Sequence, residues 1–448
     1  MKAINVSNKI IGKIKELHGV NCAPYLKTYG NKQPLIHKTF EYAGVPRSRL
    51  HDCCGSYGGA YFVDIPNIFR DFDADENNPE NYDFYYTDEY IGAIIASGAK
   101  IVYRLGITIE WGSKKYRTYP PKDYAKWAKI CENVIRHYNE GWANGFNYGI
   151  EYWEIWNEPE NPPMWSGTKQ EFFELYKVAS LHLKKRFPNV KIGGYGSCGF
   201  YAAFRENMSD FYKGFLTWFD EFLSFCKENN CPLDFYTWHI YTDKVSEIIY
   251  SAEHARKKLD EYGFNNTESH LNEWNYGAEG GGFTHKATNV GASFCLDALI
   301  AMQNNSVDLA QYYVLSPLSS YNGWLDLRTN KFTSVIDVFA SFSRLYRAEN
   351  QVDVVTTSDA PNVIAAKAKD GATYALITTY QKEEERIKVS FDGVKTFGVY
   401  ELMDDSGFKK LFTVDGTGIE FTVKSNAVYL IAADTDLKDD ILDRTKYQ

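Results

Sequence analysis

Short β-type runs alternate with longer helical patterns from residue 14 to about residue 347. The segments between the β-type runs space apolar residues three and four positions apart, as in TKQEFFELYKVASLHLKKRF, where Thr168 is the expected N-cap. Eight strand–helix repeats in about 330 residues predict an α/β chain built on a (β/α)8 TIM barrel. A doubly wound open sheet would need a glycine fingerprint after its first strand, and none follows it. The eight predicted strands are Lys15–Asn21, Ser48–Asp52, Lys100–Gly106, Tyr152–Asn157, Lys191–Gly196, Phe235–Tyr241, Ser269–Trp274 and Leu309–Ser316.

After about residue 350 the pattern changes to short alternating runs separated by turns. Two Asp-Gly pairs, at Asp370-Gly371 and Asp392-Gly393, lie between such runs and indicate β-hairpins. We therefore expect the barrel over residues 14–348 and a small C-terminal antiparallel, β-sandwich-like accessory domain over residues 349–435, which a strand from residues 1–13 can join. The charged segment 434–448 is interpreted as a solvated terminus.

Composition excludes several classes of partner. The net charge is −9 and Lys and Arg form no run, so nucleic acid is not expected as a partner. No apolar run approaches the roughly 18–20 residues that cross a bilayer, so no membrane association is expected, and Lys9, Lys13 and Lys15 interrupt the first apolar residues. The absence of a visible signal peptide predicts a cytoplasmic location. Homo-oligomerisation is left open.

Cysteine usage points away from disulfides and metals. Eight Cys in 448 residues are sparse, and none forms a C-x-x-C pair. Cys53 and Cys54 follow His51 and Asp52, a cluster that could suggest metal ligands. No second His or Cys pair has the spacing that a metal site would need. The sequence therefore predicts a reducing compartment, no bound metal and no cofactor.

Two glutamates stand at strand exits, where the active site of such a barrel lies. Glu158 ends the fourth β-type run and Glu273 ends the seventh, 115 residues later. Strands four and seven lie across a closed barrel from each other, so both acids can point to one centre. Glycoside cleavage needs such a pair, one a proton donor and the other a nucleophile or stabilising anion. Pro159 is expected to keep the backbone at Glu158 extended.

Several segments, in order, resemble glycoside hydrolase family 39 of the retaining clan with acids on strands four and seven. They are SRLHD at Ser48–Asp52, PPKDYAKW at Pro120–Trp127, YWEIWNEPENPPMW at Tyr152–Trp165, TWHIY at Thr237–Tyr241 and SHLNEWNYG at Ser269–Gly277. The resemblance runs from about residue 45 to 350, and the β-rich C-terminal part suits the accessory domain of that family.

The resemblance implies the roles of individual residues. Glu158 would be the general acid/base and Glu273 the nucleophile, while Asn157 would hold the sugar 2-hydroxyl. His239 and His51 would contact the sugar, Tyr241 would orient Glu273, and Arg49 would keep Glu273 ionised. Trp324 is a candidate stacking platform. These roles predict that free enzyme at neutral pH carries an ionised Glu273 and a protonated Glu158.

The expected activity is retaining hydrolysis of an O-glycosyl bond, exo-acting on β-xylosides or related pentosides through a covalent glycosyl-enzyme. The expected partner is a glycoside or oligosaccharide substrate. Strand eight departs from the tryptophan of the family's xylosidases, which keeps an arabinoside- or uronide-cleaving member of the family open. A non-catalytic carbohydrate-binding barrel is the alternative from another class, and a metal-dependent hydrolase on the same barrel is a third.

Overall fold

The computed structural model describes residues 1–23, 36–53, 61–277, 285–315, 319, 321–326, 329, 331–435, 437 and 443–447. Strand β1 (Lys2–Lys13) belongs to a second sheet, and eight parallel strands form a closed barrel. The barrel strands are β2 (Gly19–Asn21), β3 (Arg47–Leu50), β4 (Lys100–Leu105), β5 (Tyr152–Ile155), β6 (Lys191–Ser197), β7 (Phe235–Thr242), β8 (Glu268–Tyr276) and β9 (Leu309–Tyr312). This barrel confirms the predicted fold class. Each predicted run contributes one strand, although β2 begins later and β9 ends earlier than expected.

Helices cover the outside of the barrel. In the described part of the chain they are α1 (Ile36–Ala43), α2 (Ile65–Ile68), α3 (Tyr85–Ala96), α4 (Tyr124–Glu140), α5 (Lys169–Arg186), α6 (Asp210–Glu228), α7 (Val245–Glu261), α8 (Asn289–Gln303) and α9 (Ser334–Ala348). Thr168 caps α5 as expected, because its hydroxyl accepts the Glu171 N–H while the Glu171 carboxylate accepts the Thr168 N–H. None of the described helices is both long and apolar enough to cross a membrane.

The second sheet has nine strands, β1 and eight C-terminal strands: β12 (Asn350–Thr356), β13 (Asn362–Lys367), β14 (Thr373–Thr378), β15 (Glu385–Phe391), β16 (Thr396–Met403), β17 (Gly407–Asp415), β18 (Gly418–Val423) and β19 (Val428–Ala433). Their order in the sheet is β17-β16-β19-β14-β13-β12-β1-β15-β18. Its strands are antiparallel neighbours except for β1 and β15, which run parallel. The sheet encloses a hydrophobic core of its own, and the main core lies between the barrel and its helices. A two-stranded pair, β10 (Leu325–Asp326) and β11 (Lys331–Phe332), precedes the C-terminal strands.

The sheet contacts the barrel through helix α8. Asn362 donates to the Asp297 carboxylate over 2.5 Å, and the Thr378 hydroxyl donates to the Ser293 carbonyl over 2.9 Å. A domain division at residues 348 and 349 stays a prediction.

The C-terminal segment is not wholly solvated, which corrects the interpretation made from its charge. Arg444 is fully buried and pairs with the buried Asp337 of α9. Its guanidinium also donates to the carbonyls of Met403 and Asp404. A lone arginine in a charged run gives no sign of a distant partner, so the sequence pattern could not reveal this contact.

Arg444→Ala is expected to lower the free energy of unfolding by about 3–5 kcal/mol, because it leaves the Asp337 carboxyl buried without its cation. Burial raises the pKa of Asp337 to about 7 even with Arg444 present. A buried carboxyl with a raised pKa takes up a proton on folding, so the variant should lose less stability at pH 5 than at pH 8. Urea unfolding at both pH values measures the loss. Arg386→Ala, which removes an exposed partner of Glu420, is the control and should change little. Equal losses in the two variants would show that Arg444 does not anchor the segment.

Candidate active site

Glu158 follows the end of β5 in a left-handed backbone conformation. Its φ is 45°, and that of Trp156 is 71°, so the expected extended conformation before Pro159 is wrong. The reason is that the Glu158 N–H donates to two carbonyls at the exit of β6, those of Tyr195 at 3.1 Å and Gly196 at 2.9 Å. These bonds fix the peptide against the neighbouring strand and direct Glu158 towards the barrel axis.

The two predicted acids meet. Oxygen atoms of Glu158 and Glu273 and a ring nitrogen of His239 all lie within 4.8 Å of one another. His239 Nδ1 is 2.8 Å from Glu158 Oε1 and 3.6 Å from Glu273 Oε2. His239 is fully buried, and its Nδ1 faces both acids, while its Nε2 has no hydrogen-bond partner among the described residues. Contact of His239 with the sugar stays a prediction.

Both carboxylate oxygens of Glu273 are held. Arg49 Nη1 lies 2.7 Å from Oε1, and the Tyr241 hydroxyl donates to Oε2 over 2.7 Å. The structure therefore brings both residues expected to act on Glu273 into contact with it. Burial and the Glu273 charge raise the pKa of Tyr241 well above its usual range, so the phenol stays a hydrogen-bond donor at neutral pH.

Arg49 links strand β3 to β5 and β8. Its Nε donates to Glu154 Oε2 and its Nη2 to Asn157 Oδ1, each over 2.6 Å. Burial would lower the pKa of Arg49, but the Glu154 and Glu273 carboxylates outweigh it and raise the pKa above its usual value. Because the Asn157 oxygen is taken by Arg49, the amide NH2 is the group left for a ligand.

Glu154 is a site-building residue that the sequence interpretation missed. It is fully buried within β5, and its Oε1 accepts from the Thr237 hydroxyl at 2.7 Å and from Asn272 at 2.6 Å. A glutamate inside an otherwise apolar strand was the available signal, since a buried carboxylate needs a cation and donors.

His51 lies beside Glu273 as a neutral imidazole. Burial and the nearby Arg49 and Arg104 guanidinium groups hold the pKa of His51 well below its usual range. Arg104 Nε donates to His51 Nδ1 over 3.2 Å, so Nε2 carries the proton. That Nε2 is 3.8 Å from Glu273 Oε1 and faces the cleft.

Glu158 and His239 form a pair joined by a hydrogen bond. Burial opposes its ionisation, but the hydrogen bond and charge of His239 outweigh burial, and the pKa of Glu158 lies below its usual value. For His239, burial is outweighed by the Glu273 and Glu158 carboxylates, and its pKa is raised. These directions favour His239 as the carrier of the proton of this pair, and the protonated Glu158 expected from the sequence stays a prediction.

These groups face a cleft of about 660 Å³ at the strand-exit end of the barrel. Three aromatic residues that the sequence analysis did not single out line this cleft. They are Trp111, which is 75% exposed, and Phe211 and Tyr212 at the start of α6. The residues that line the cleft are His51, Asp52, Ile109, Trp111, Asn157, Glu158, Asn161, Cys198, Tyr201, Phe211, Tyr212, Phe215, Tyr241, Glu273, Tyr313, Ser319 and Tyr321.

Trp324 is not among them. Its ring is 1% exposed and packs 4.6 Å from the ring of Phe339 in the main core. The expectation that Trp324 contacts substrate is therefore wrong, because helix α9 covers the face that a sugar would need.

The described residues offer one group that could hold a metal ion, Glu158, His239 and Glu273. The Arg49 guanidinium in contact with Glu273 places a fixed positive charge beside that group. This charge opposes a second cation, and it suits a carboxylate that must stay anionic.

A family model and curated relatives were found that resemble this chain. The family model described as "Glycosyl hydrolases family 39" matches residues 57–316. A β-xylosidase of Geobacillus stearothermophilus is 30% identical over 202 residues, 42% of this chain and 36% of the relative's length. A β-xylosidase of Caldicellulosiruptor saccharolyticus is 29% identical over 189 residues, 40% of this chain and 35% of the relative. The matched part of the chain thus spans about a third of the length of these curated relatives.

A solved structure resembles the whole chain. It is described as a glucosidase from Croceicoccus marinus, has a TM-score of 0.78 at 21% identity, and the similarity covers 98% of this chain and 99% of that one. At this identity the likeness shows a shared fold.

Proposed function

The chain belongs to glycosyl hydrolase family 39, and from that premise we propose that it is a retaining glycoside hydrolase. The observation that carries the proposal is the separation of the acids, whose nearest oxygens lie within 4.8 Å. Retaining enzymes hold their carboxyl groups about 5–5.5 Å apart, whereas inverting enzymes leave about 6.5–9.5 Å for a water. The short separation supports direct attack by one of the carboxylates.

Glu273 is the proposed nucleophile. Arg49 and Tyr241 bind its two oxygens and stabilise the anion that attacks the anomeric carbon. The C–O bond to the leaving group breaks as a covalent glycosyl-enzyme forms on Glu273. The free amide NH2 of Asn157 is placed to bind the sugar 2-hydroxyl, a contact that strengthens in the transition state.

Glu158 is the proposed general acid/base. It holds one exchangeable proton jointly with His239 through the 2.8 Å hydrogen bond between Oε1 and Nδ1. When a leaving oxygen binds at Glu158, that proton passes to it, and the pair then accepts a proton from the water that hydrolyses the intermediate. His239 thus acts through Glu158, by holding the shared proton at Oε1.

We propose exo-action on β-xylosides or related pentosides. The names of the two curated relatives support this sugar class. Among the described residues that line the cleft, none is lysine or arginine, while Asp52, Glu158 and Glu273 contribute carboxyl groups. An arabinoside fits this lining, whereas a uronide would meet like charge without a basic partner. The exposed Trp111 supports stacking of the leaving group.

The test is hydrolysis of aryl β-xyloside, α-arabinoside, β-glucoside and β-glucuronide, followed by proton NMR of the first-formed sugar. We expect fastest turnover of the xyloside, with β-xylose appearing before the α anomer. Activity should persist in EDTA, because the proposed steps use protein groups alone. Initial α-xylose would overturn the retaining assignment. Failure to hydrolyse any member of the panel, with sugar binding intact, would support the non-catalytic barrel instead.

A further inference from the structure

A third carboxylate, that of Asp52, lies in the cleft, and the proposed chemistry does not use it. Asp52 follows β3 with a φ of 52°, a left-handed conformation that few residues other than glycine adopt. Its side chain is 19% exposed and lines the same cleft as Glu158 and Glu273. A carboxylate in this position either forms a hydrogen bond with the bound ligand or repels a ligand that is itself negatively charged.

The carboxylate of Asp52 is fixed from two other strand exits. The Tyr313 hydroxyl, after β9, donates to Oδ2 over 2.9 Å, and the Ile109 N–H, after β4, approaches Oδ1 at 3.4 Å. Two carboxylate oxygens can accept about four hydrogen bonds, so these donors leave acceptor capacity on the cleft side. The side chain is therefore held in place with lone pairs available to a ligand.

Asp52 and the nucleophile both lie against the same side chain, that of His51. A single imidazole nitrogen, His51 Nε2, is 3.4 Å from Asp52 Oδ1 and 3.8 Å from Glu273 Oε1. The Asp52 carboxylate is therefore within reach of a sugar whose anomeric carbon stands at Glu273. Burial and the Glu273 charge raise the pKa of Asp52 to about 6, with Arg104 and the Tyr313 hydroxyl acting in the opposite direction, so it is an anion at neutral pH.

We propose, on the basis of the function proposed above, that Asp52 determines sugar specificity by accepting a hydrogen bond from the 3- or 4-hydroxyl of the sugar held at Glu273. An acceptor built into a cleft in this way discriminates against analogues that lack the hydroxyl, because its carboxylate is then left unpaired. The same charge disfavours a sugar that carries a carboxylate.

The test combines an enzyme variant with a substrate variant. Asp52→Asn keeps the shape of the side chain, and Asp52→Gly removes the carboxylate at a φ that glycine adopts freely. Each is assayed with p-nitrophenyl β-D-xylopyranoside and with its 3-deoxy and 4-deoxy analogues, or with the corresponding set for whichever sugar of the panel is hydrolysed fastest. Asp73→Asn, an exposed aspartate paired with Lys122, is the matched control and should leave kcat/KM unchanged.

We expect Asp52→Gly to lower kcat/KM for the parent glycoside about 10- to 100-fold, the range for a hydrogen bond to a charged group, and Asp52→Asn to lower it less. For one deoxy analogue, wild type and Asp52→Gly should differ by less than about threefold, since the hydroxyl in question is already absent. The same loss on the parent and on both analogues, with wild type active, overturns the assignment of Asp52 alone. No hydrolysis by wild type across the panel overturns the proposed function and, with it, the role of Asp52.

Discussion

Glu273→Ala is expected to abolish hydrolysis of aryl glycosides, with kcat falling roughly 10⁴-fold or more. The variant keeps Arg49 and Tyr241 but loses the anion that they hold, so no group can form the covalent intermediate. The loss should be similar for good and poor leaving groups, because the missing step is bond formation at the anomeric carbon and not protonation of the leaving oxygen.

External azide tests this interpretation of Glu273→Ala. A small anion can occupy the vacated space and attack from the same face, which gives a glycosyl azide of inverted configuration. The matched control is Glu268→Ala on the same strand, β8, whose carboxylate pairs with Lys191 at the other end of the strand. The folded control should retain activity and should form no azide product. If Glu273→Ala instead hydrolysed the substrate at the wild-type rate, Glu273 would not be the nucleophile.

The barrel could be predicted from the sequence because each strand carries its own local pattern. An apolar run bounded by turn residues and followed by a helical pattern specifies a βα unit, and eight units close in one way. The same reasoning located Glu158 and Glu273, since strand exits of a closed barrel meet at one end. Here local pattern and global topology agree, which explains why the acids could be found without coordinates.

The partners of the acids could not be predicted in the same way. Arg49 contacts Glu154 and Asn157 of β5 and the segment after it, and Glu273 of β8, and the lengths of its hydrogen bonds depend on strand stagger. His239 was placed on the right strand, but whether it faces a ligand or the acids depends on the register of β7 against β8. That register shifts between Trp238 and His239, and no sequence pattern marks the shift.

Burial of long side chains was the other source of error. Trp324 lies after β9, where an exposed aromatic could stack on a sugar, yet Phe339 of α9 covers it. Conversely, no sequence pattern singled out Trp111, which is exposed in the cleft. Both outcomes depend on how loops pack across the barrel mouth, which hydrophobic periodicity does not encode.

Glu158→Ala is expected to behave differently from Glu273→Ala, and the difference separates the two roles. With a 2,4-dinitrophenyl leaving group little protonation is needed, so the glycosyl-enzyme should still form. Its hydrolysis should stall, because no base remains to activate water, and a burst of dinitrophenol should precede a slow steady state. With xylobiose, which needs the proton, kcat/KM should fall about 10²- to 10⁴-fold.

Azide gives the decisive product for Glu158→Ala. It attacks the glycosyl-enzyme from the face that Glu158 occupied, so the glycosyl azide should have retained configuration, opposite to that from Glu273→Ala. Without the Glu158 carboxylate, Glu273 is the one of the two acids that remains near His239, with 3.6 Å between His239 Nδ1 and Glu273 Oε2. In wild type we expect kcat/KM to fall at alkaline pH as the Glu158 and His239 pair loses its shared proton, because the leaving oxygen is then not protonated. In Glu158→Ala, which lacks this donor, kcat/KM for the dinitrophenyl glycoside should not show that alkaline fall. An inverted azide from Glu158→Ala, together with a retained azide from Glu273→Ala, would exchange the two assignments, since each product reports the face that the removed carboxylate occupied.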